Sequence, residues 1–284
     1  MSLFSSIDNT WGRRAAQVAI VGAVFSIGAL AVGQQTQKVF VPPVYRIHRA
    51  GAPITVDGRL DEPAWVAAPR TGPFHFPWFK EGEREQSIVK LLWDDDNLYV
   101  AHICQDAHIR AEHADHDDPV PEDDCFEVMI VPDPARPNYY NVEWNVRGAY
   151  VDGRRPDGPQ APRAEWDVRG MRHAGVYVGT PNDDGDRDAY WICEVAIPWD
   201  NLAEVMPHSP PRPGDEMRVN FNRHGGAVNM QYSQWSPVDS PTPAFHAPHR
   251  FGRVVFSDKT SPFAPPSENG EPDLKVSRNE QSKP

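Results

Sequence analysis

Ser87-Ile-Val-Lys-Leu-Leu-Trp93, then Asp94-Asp95-Asp96, then Asn97-Leu-Tyr-Val-Ala-His-Ile-Cys104, is the stretch that decides the fold. Two runs rich in β-branched and aromatic residues flank three aspartates. Asp and Asn tolerate turn dihedrals and hydrogen-bond their own backbone, so the stretch predicts a β-hairpin. The same pattern repeats outward. Strands are expected over residues 125–131, 139–146, 175–179, 189–197, 217–222, 228–235 and 250–256, separated by Gly, Pro, Asp and Asn. Helical spacing is brief, over residues 62–67 and 199–205. Many short strands with such loops predict an all-β fold, an antiparallel β-sandwich with long loops.

Composition agrees. The 284 residues include 30 Pro, which excludes a helical bundle because each interior proline removes a helix hydrogen bond. Nine Trp, 12 Phe and 8 Tyr exclude a chain disordered throughout. The formal net charge is 28 − 40 = −12, which argues against nucleic acid as a partner and favours neutral sugars or cations.

The ends differ from the middle. Arg13 and Arg14 precede an apolar run rich in Ala, Gly and Val that closes on small residues near Gly33. Residues 1–33 therefore read as a signal peptide, with an uncleaved membrane anchor as the alternative, and residues 34–44 as a linker. The expected location is secreted, periplasmic or at the cell envelope. Residues 257–284 hold five prolines and few apolar side chains, which predicts a disordered tail. Residues 45–256 form the expected domain. Its cysteines, Cys104, Cys125 and Cys193, lie in apolar segments outside any CxxC motif and are expected as buried free thiols.

Alternation places polar groups on one strand face. Tyr140, Val142, Trp144 and Val146 oppose Asn141, Glu143, Asn145 and Arg147; Phe126, Val128 and Ile130 oppose Glu127. Glu127, Asn145 and Arg147 are expected on a common non-core face. Fixed carboxylate, amide and guanidinium groups suit sugar hydroxyls, which both donate and accept. A solvated outer face with ordinary cross-strand pairs accounts for the same pattern. Trp235 falls with Ser233 and Gln231 on the polar side of its run, where it is able to stack on a pyranose ring or to fold over the sheet edge.

The motifs then become specific. Ile54-Thr-Val-Asp57-Gly58 with Leu60-Asp-Glu-Pro-Ala-Trp65, the hairpin of residues 91–100, and Asp123-Asp-Cys-Phe-Glu127-Val128 occur in order. Trp191-Ile-Cys-Glu194-Val-Ala-Ile-Pro-Trp199, Pro213-Gly-Asp215 through Arg223, Trp235-Ser-Pro237 and Phe251-Gly252 follow. Together they resemble the family 9 carbohydrate-binding modules (CBM9) across residues 52–256. The resemblance implies a β-sandwich of jelly-roll type, akin to DOMON domains. It implies non-catalytic sugar binding, a ring clamped between two tryptophans, and structural calcium. By position, Trp235 would be one wall of the clamp, with Glu127, Arg147 and Asn145 as polar partners. The family's second tryptophan is replaced by Asp118-Pro-Val-Pro121, so Trp78 or Phe79 would have to substitute. The partner is expected to be an oligo- or polysaccharide, and the protein a monomer with no required cofactor.

Other chemistry is open to the acidic and core residues. Asp184, Asp186 and Asp188 have the one-three-five spacing of a calcium loop but lack its glycine and its twelfth ligand. Glu127 and Glu143 would be the acid–base pair of a glycoside hydrolase or of an enzyme's accessory domain. Related sandwich domains hold haem b for electron transfer; here Met129 with a His or Lys on a facing strand, such as His102, would be the axial pair.

Overall fold

The decisive hairpin forms as its turn chemistry dictates. β2 (Ser87–Trp93) and β3 (Asn97–Gln105) pair antiparallel from Ser87↔Cys104 to Trp93↔Leu98. Asp94 Oδ1 closes the turn by accepting the backbone N–H groups of Asp96 and Asn97, each at 2.8 Å. The computed structural model describes residues 39–261, so the expected signal segment and linker start lie outside the described residues.

The other strands are β1 (Val44–Ala50), β4 (Cys125–Val131), β5 (Tyr139–Trp144), β6 (Tyr150–Arg155), β7 (Arg172–Val178), β8 (Tyr190–Pro198), β9 (Glu216–His224), β10 (Tyr232–Gln234) and β11 (Gly252–Ser261). One five-residue helix, α1 (Pro63–Ala67), starts on proline, whose missing N–H costs nothing in a first turn. The described chain is thus nearly all β.

The strands form one hydrogen-bonded sheet in the order β6-β5-β4-β9-β11-β1-β2-β3-β8-β7, with β10 added to β9. The sheet curls. Phe126, Val128, Trp144 and Phe221 from one half share a core with Val89, Leu91, Val100, Trp191, Cys193 and Val195 from the other. The ring of His102 on β3 stacks on Phe126 of β4 at 4.0 Å across that core. Two pairings correct the antiparallel expectation: β1 runs parallel to both β11 and β2 and joins the two halves.

The first five residues of the expected tail are strand instead. Residues 257–261 belong to β11, where Thr260 and Ser261 pair with Arg49 and Ala50; residues 262–284 lie outside the described residues. Cys104, Cys125 and Cys193 are free and buried. Among the described residues no helix is long and apolar enough to cross a membrane.

Candidate functional site

Strands β5, β4, β9 and β10 carry a second face, opposite the common core. Cross-strand register fixes it: Glu127 on β4 faces Glu143 on β5 and Asn222 on β9, and Asn222 faces Gln234 on β10. Alternation adds Asn141, Asn220, Cys125 and His224 to the same face.

These polar side chains form a network. Asn222 Nδ2 donates to Glu127 Oε2 at 2.9 Å, and Asn141 Nδ2 donates to Glu143 Oε1 at 3.2 Å. Gln234 Nε2 and Asn220 Nδ2 both donate to Asn222 Oδ1 at 3.2 Å. Glu127 and Glu143 are direct cross-strand neighbours, so two carboxyl groups share one buried stretch of the face. Burial, reinforced by the charge of Glu143, holds Glu127 well above the usual carboxyl range. Burial pushes Glu143 up to about 7, against the lowering influence of Glu127, Arg163 and Asn141.

The segment from Pro237 to Arg250 lies over this face. Gln234 Oε1 accepts the backbone N–H of Val238 at 3.0 Å. Phe245 packs edge-on against His224 at 4.8 Å and Tyr232 at 6.0 Å, and Tyr139 Oη meets His246 Nδ1 at 2.9 Å. The loop that carries Trp78 joins the same edge: His75 bridges to Gln234 through reciprocal backbone hydrogen bonds. Trp78 donates its indole N–H to Ser240 O at 2.8 Å and lies 5.8 Å from Phe245. A polar floor and an aromatic rim of Trp78, Phe245 and Tyr232 thus meet at one edge of the sheet.

Of the expected site residues, the fold brings Glu127 and Trp78 into this region and assigns the others elsewhere. Trp235 is a correction. Its ring is 4% exposed and packs on Phe221 at 5.5 Å within the common core, so neither face is open to a sugar. Register explains the reversal: Ser233 pairs with Arg223, whose strand face is the core side, and Trp235 follows Ser233 on that side. Polar Gln231 and Ser233 stand there because the neighbouring core holds buried Arg223 and Glu85; Gln231 Nε2 donates to Glu85 Oε2 at 2.9 Å.

Asn145 is fully buried as a turn organiser. Its Oδ1 accepts the N–H groups of Arg147, Gly148 and Ala149, and its Nδ2 donates to His113 O and Asp123 Oδ2. Arg147 is exposed, and its guanidinium donates to the carbonyls of Ala111 and Glu112 rather than pointing toward Glu127.

The calcium expectation does not fit its residues. The carboxylates of Asp184, Asp186 and Asp188 do not gather within 4.8 Å of one another. Asp188 accepts from Ile109 N at 2.7 Å and Thr180 N at 2.6 Å, and Asp186 accepts from Thr180 Oγ1 at 2.9 Å, so these two carboxylates fix a loop. The haem pair also fails. Met129 packs with Val131, Tyr139 and Phe251 on the outer face, whereas His102 is enclosed by Phe126, Trp144 and Trp191 on the core side. The hydrolase pair fails on access: Glu127 lies directly opposite Glu143 and is buried, which leaves no opening for a glycosidic bond between them.

Sequence reasoning misses Asn220, Asn222 and Gln234 as site residues. A signal was present, because Asn220, Asn222 and His224 alternate with Val219, Phe221 and Arg223.

A model of the family described as Carbohydrate-binding family 9 matches residues 77–256. Three solved structures share the fold. A protein from Bacteroides uniformis assigned to carbohydrate binding is 19% identical, with a TM-score of 0.65 over 76% of this chain and 100% of that one. A family 9 module from Caldicellulosiruptor kristjanssonii in complex with cellotriose is 15% identical, with a TM-score of 0.53 over 81% of this chain and 98% of that one. The same organism's module in complex with glucose is 16% identical, with a TM-score of 0.50 over 80% of this chain and 100% of that one. No curated protein matches.

Proposed function

From the premise that the chain belongs to carbohydrate-binding family 9, we propose that it is a non-catalytic binder of neutral saccharides, held at the β5-β4-β9-β10 face. The observation that carries this reading is the hydrogen-bonded set Glu127, Asn222, Asn141 and Glu143 beside the Trp78–Phe245 pair. Glu127, Asn141 and Asn222 are buried, so they act as the fixed floor that positions the rim rather than as direct sugar contacts. Aromatic rings at the rim offer apolar surface to the C–H face of a pyranose. Two solved relatives bind cellotriose and glucose, and we extend that ligand class to this chain. The net charge of −12 disfavours polyanionic glycans.

We read the two halves of the curled sheet as the leaves of a sandwich, and residues 1–33 as the export signal of a monomer that works outside the cytoplasm. Calorimetric titration of the purified protein with glucose and cellotriose tests the function. Saturable binding that Glu127→Gln and Asn222→Ala both weaken is expected; undiminished binding in both variants would place the sugar elsewhere. Wild-type protein that binds neither these sugars nor any member of a glycan array would overturn the reading.

A further inference from the structure

Three donors of different chemistry meet at one end of the polar face. Cys125 on β4 is paired in register with His224 on β9, and Glu143 projects from β5 on the other side of β4. A sulfur, an imidazole nitrogen and a carboxylate oxygen from these residues all lie within 4.8 Å of one another. A tetrahedral ion with bonds of ~2.0–2.3 Å wants its donors roughly 3.5 Å apart, inside the 4.8 Å that bounds these three.

Two donor atoms also lack partners. Glu143 Oε2 and His224 Nε2 are both shielded from solvent with no hydrogen bond. Both orphans belong to the residues grouped with the Cys125 thiol, where a single bound ion would partner all three. The surroundings already orient the donors. Asn141 holds Glu143 through Oε1 and leaves Oε2 for a ligand, and Tyr232 and Phe245 pack edge-on against the His224 ring. Such outer contacts are what fix metal ligands in place.

We propose that Cys125, Glu143 and His224 form a transition-metal site that takes Zn2+. Thiolate and imidazole exclude Ca2+ and Mg2+, which need hard oxygen donors, and suit a borderline ion such as zinc. Binding releases the Cys125 thiol proton to solvent. Three protein ligands leave a fourth position for water, on the side where Glu143 and His224 are half-buried. The site stands without the sugar reading, because none of its donors needs a sugar to be in place.

The test uses the full chain, stripped with chelator and kept reduced, then titrated with Zn2+ alone against a competing chelator and with Co2+ as a spectroscopic probe. One ion per chain is expected, with the intense visible bands of tetrahedral cobalt and a thiolate-to-cobalt charge-transfer band. Cys125→Ser should abolish that band and weaken Zn2+ binding by more than about 100-fold, beyond the range of outer-contact losses. Glu143→Gln, which keeps the thiol, should retain the charge-transfer band at reduced affinity and covers the case where Cys125→Ser does not fold. His116→Ala removes the exposed His116, Asp117 and Asp167 group and should change nothing. Absence of stoichiometric binding, a charge-transfer band that survives Cys125→Ser, or dependence on His116 would overturn the proposal.

Discussion

The indole of Trp235 lies under Gly252: a Cβ at position 252 would fall 2.6 Å from Cη2 and 2.9 Å from Cε3 of the ring. The bare backbone of β11 is what lets so large a side chain enter the core. Gly252→Ala should therefore cost about 1–3 kcal/mol through overpacking. Trp235→Ala should cost about 3–5 kcal/mol by leaving a cavity beside Phe221. Urea unfolding monitored by circular dichroism reads both. A Trp235→Ala protein of unchanged stability and lowered sugar affinity would restore the stacking role that burial denies it.

Glu194 gives the fold a pH dependence. Its Oε1 accepts the Trp65 indole N–H at 2.7 Å, and its Oε2 accepts the backbone N–H groups of Asp57 at 3.0 Å and Gly58 at 3.2 Å. Burial nevertheless pushes its carboxyl up to about 7, against those three donors. A folded value above the unfolded one means that the folded state holds the proton longer. The stability contributed is full below the unfolded value and is lost as pH rises toward 7. The urea midpoint should fall between pH 5 and about pH 8, and the fall should be shallower in Glu194→Gln. Parallel pH profiles for the two proteins would assign the dependence to other groups. Glu194→Ala, which orphans three donors, should lose about 3 kcal/mol or more.

Local alternation made most strands legible. The run at residues 87–93 and the one at 125–131 coincide with β2 and β4 to the residue. Two strands escaped for identifiable reasons. In β6 the pair Asp152-Gly153 reads as a turn, although Asp152 caps Val168 N at 2.7 Å from inside a strand. In β1 only Tyr45 and Ile47 are apolar and buried among Arg46, His48 and Arg49, and its parallel pairing with β11 depends on a neighbour more than 200 residues away. The site was legible where each strand face had one character, as at Glu127. It failed at Trp235 because Gln231 and Ser233, which mark a solvent face in most sheets, face a buried ion cluster here.

That cluster is itself testable. Arg223 is fully buried with Asp106 at 2.7 Å and Glu85 and Asp124 each at 3.5 Å, one cation for three carboxyl groups. Burial already holds Glu85 above its usual range despite the guanidinium. Arg223→Met should destabilise by about 3–5 kcal/mol, the cost of leaving buried carboxylates without their cation. Without the cation, the carboxyl groups are relieved only by taking protons. The variant should therefore regain thermal stability as pH is lowered, and a loss that is constant across pH would contradict this account. Arg223→Lys should rescue poorly, because an ammonium lacks the planar fork that reaches several carboxyl groups at once.

Asn145 separates a turn organiser from a sugar contact. Its side chain satisfies three N–H groups of the β5–β6 turn through Oδ1, and through Nδ2 it ties that turn to His113 O at 3.0 Å and Asp123 Oδ2 at 2.8 Å. Asn145→Ala leaves these groups without a partner in a fully buried setting, a loss of about 3 kcal/mol on the scale of orphaned buried groups. Asn145→Asp keeps the acceptor but sets a carboxylate oxygen against Asp123, so it should be nearly as unstable at neutral pH and should recover in acid. Arg147→Ala removes only exposed donations to the Ala111 and Glu112 carbonyls and should shift stability by less than about 0.5 kcal/mol. If the sugar lies at the Trp78–Phe245 rim, the folded fraction of all three variants should bind it with wild-type affinity. Selective loss of affinity in Arg147→Ala at unchanged stability would move the binding face to the β5–β6 turn.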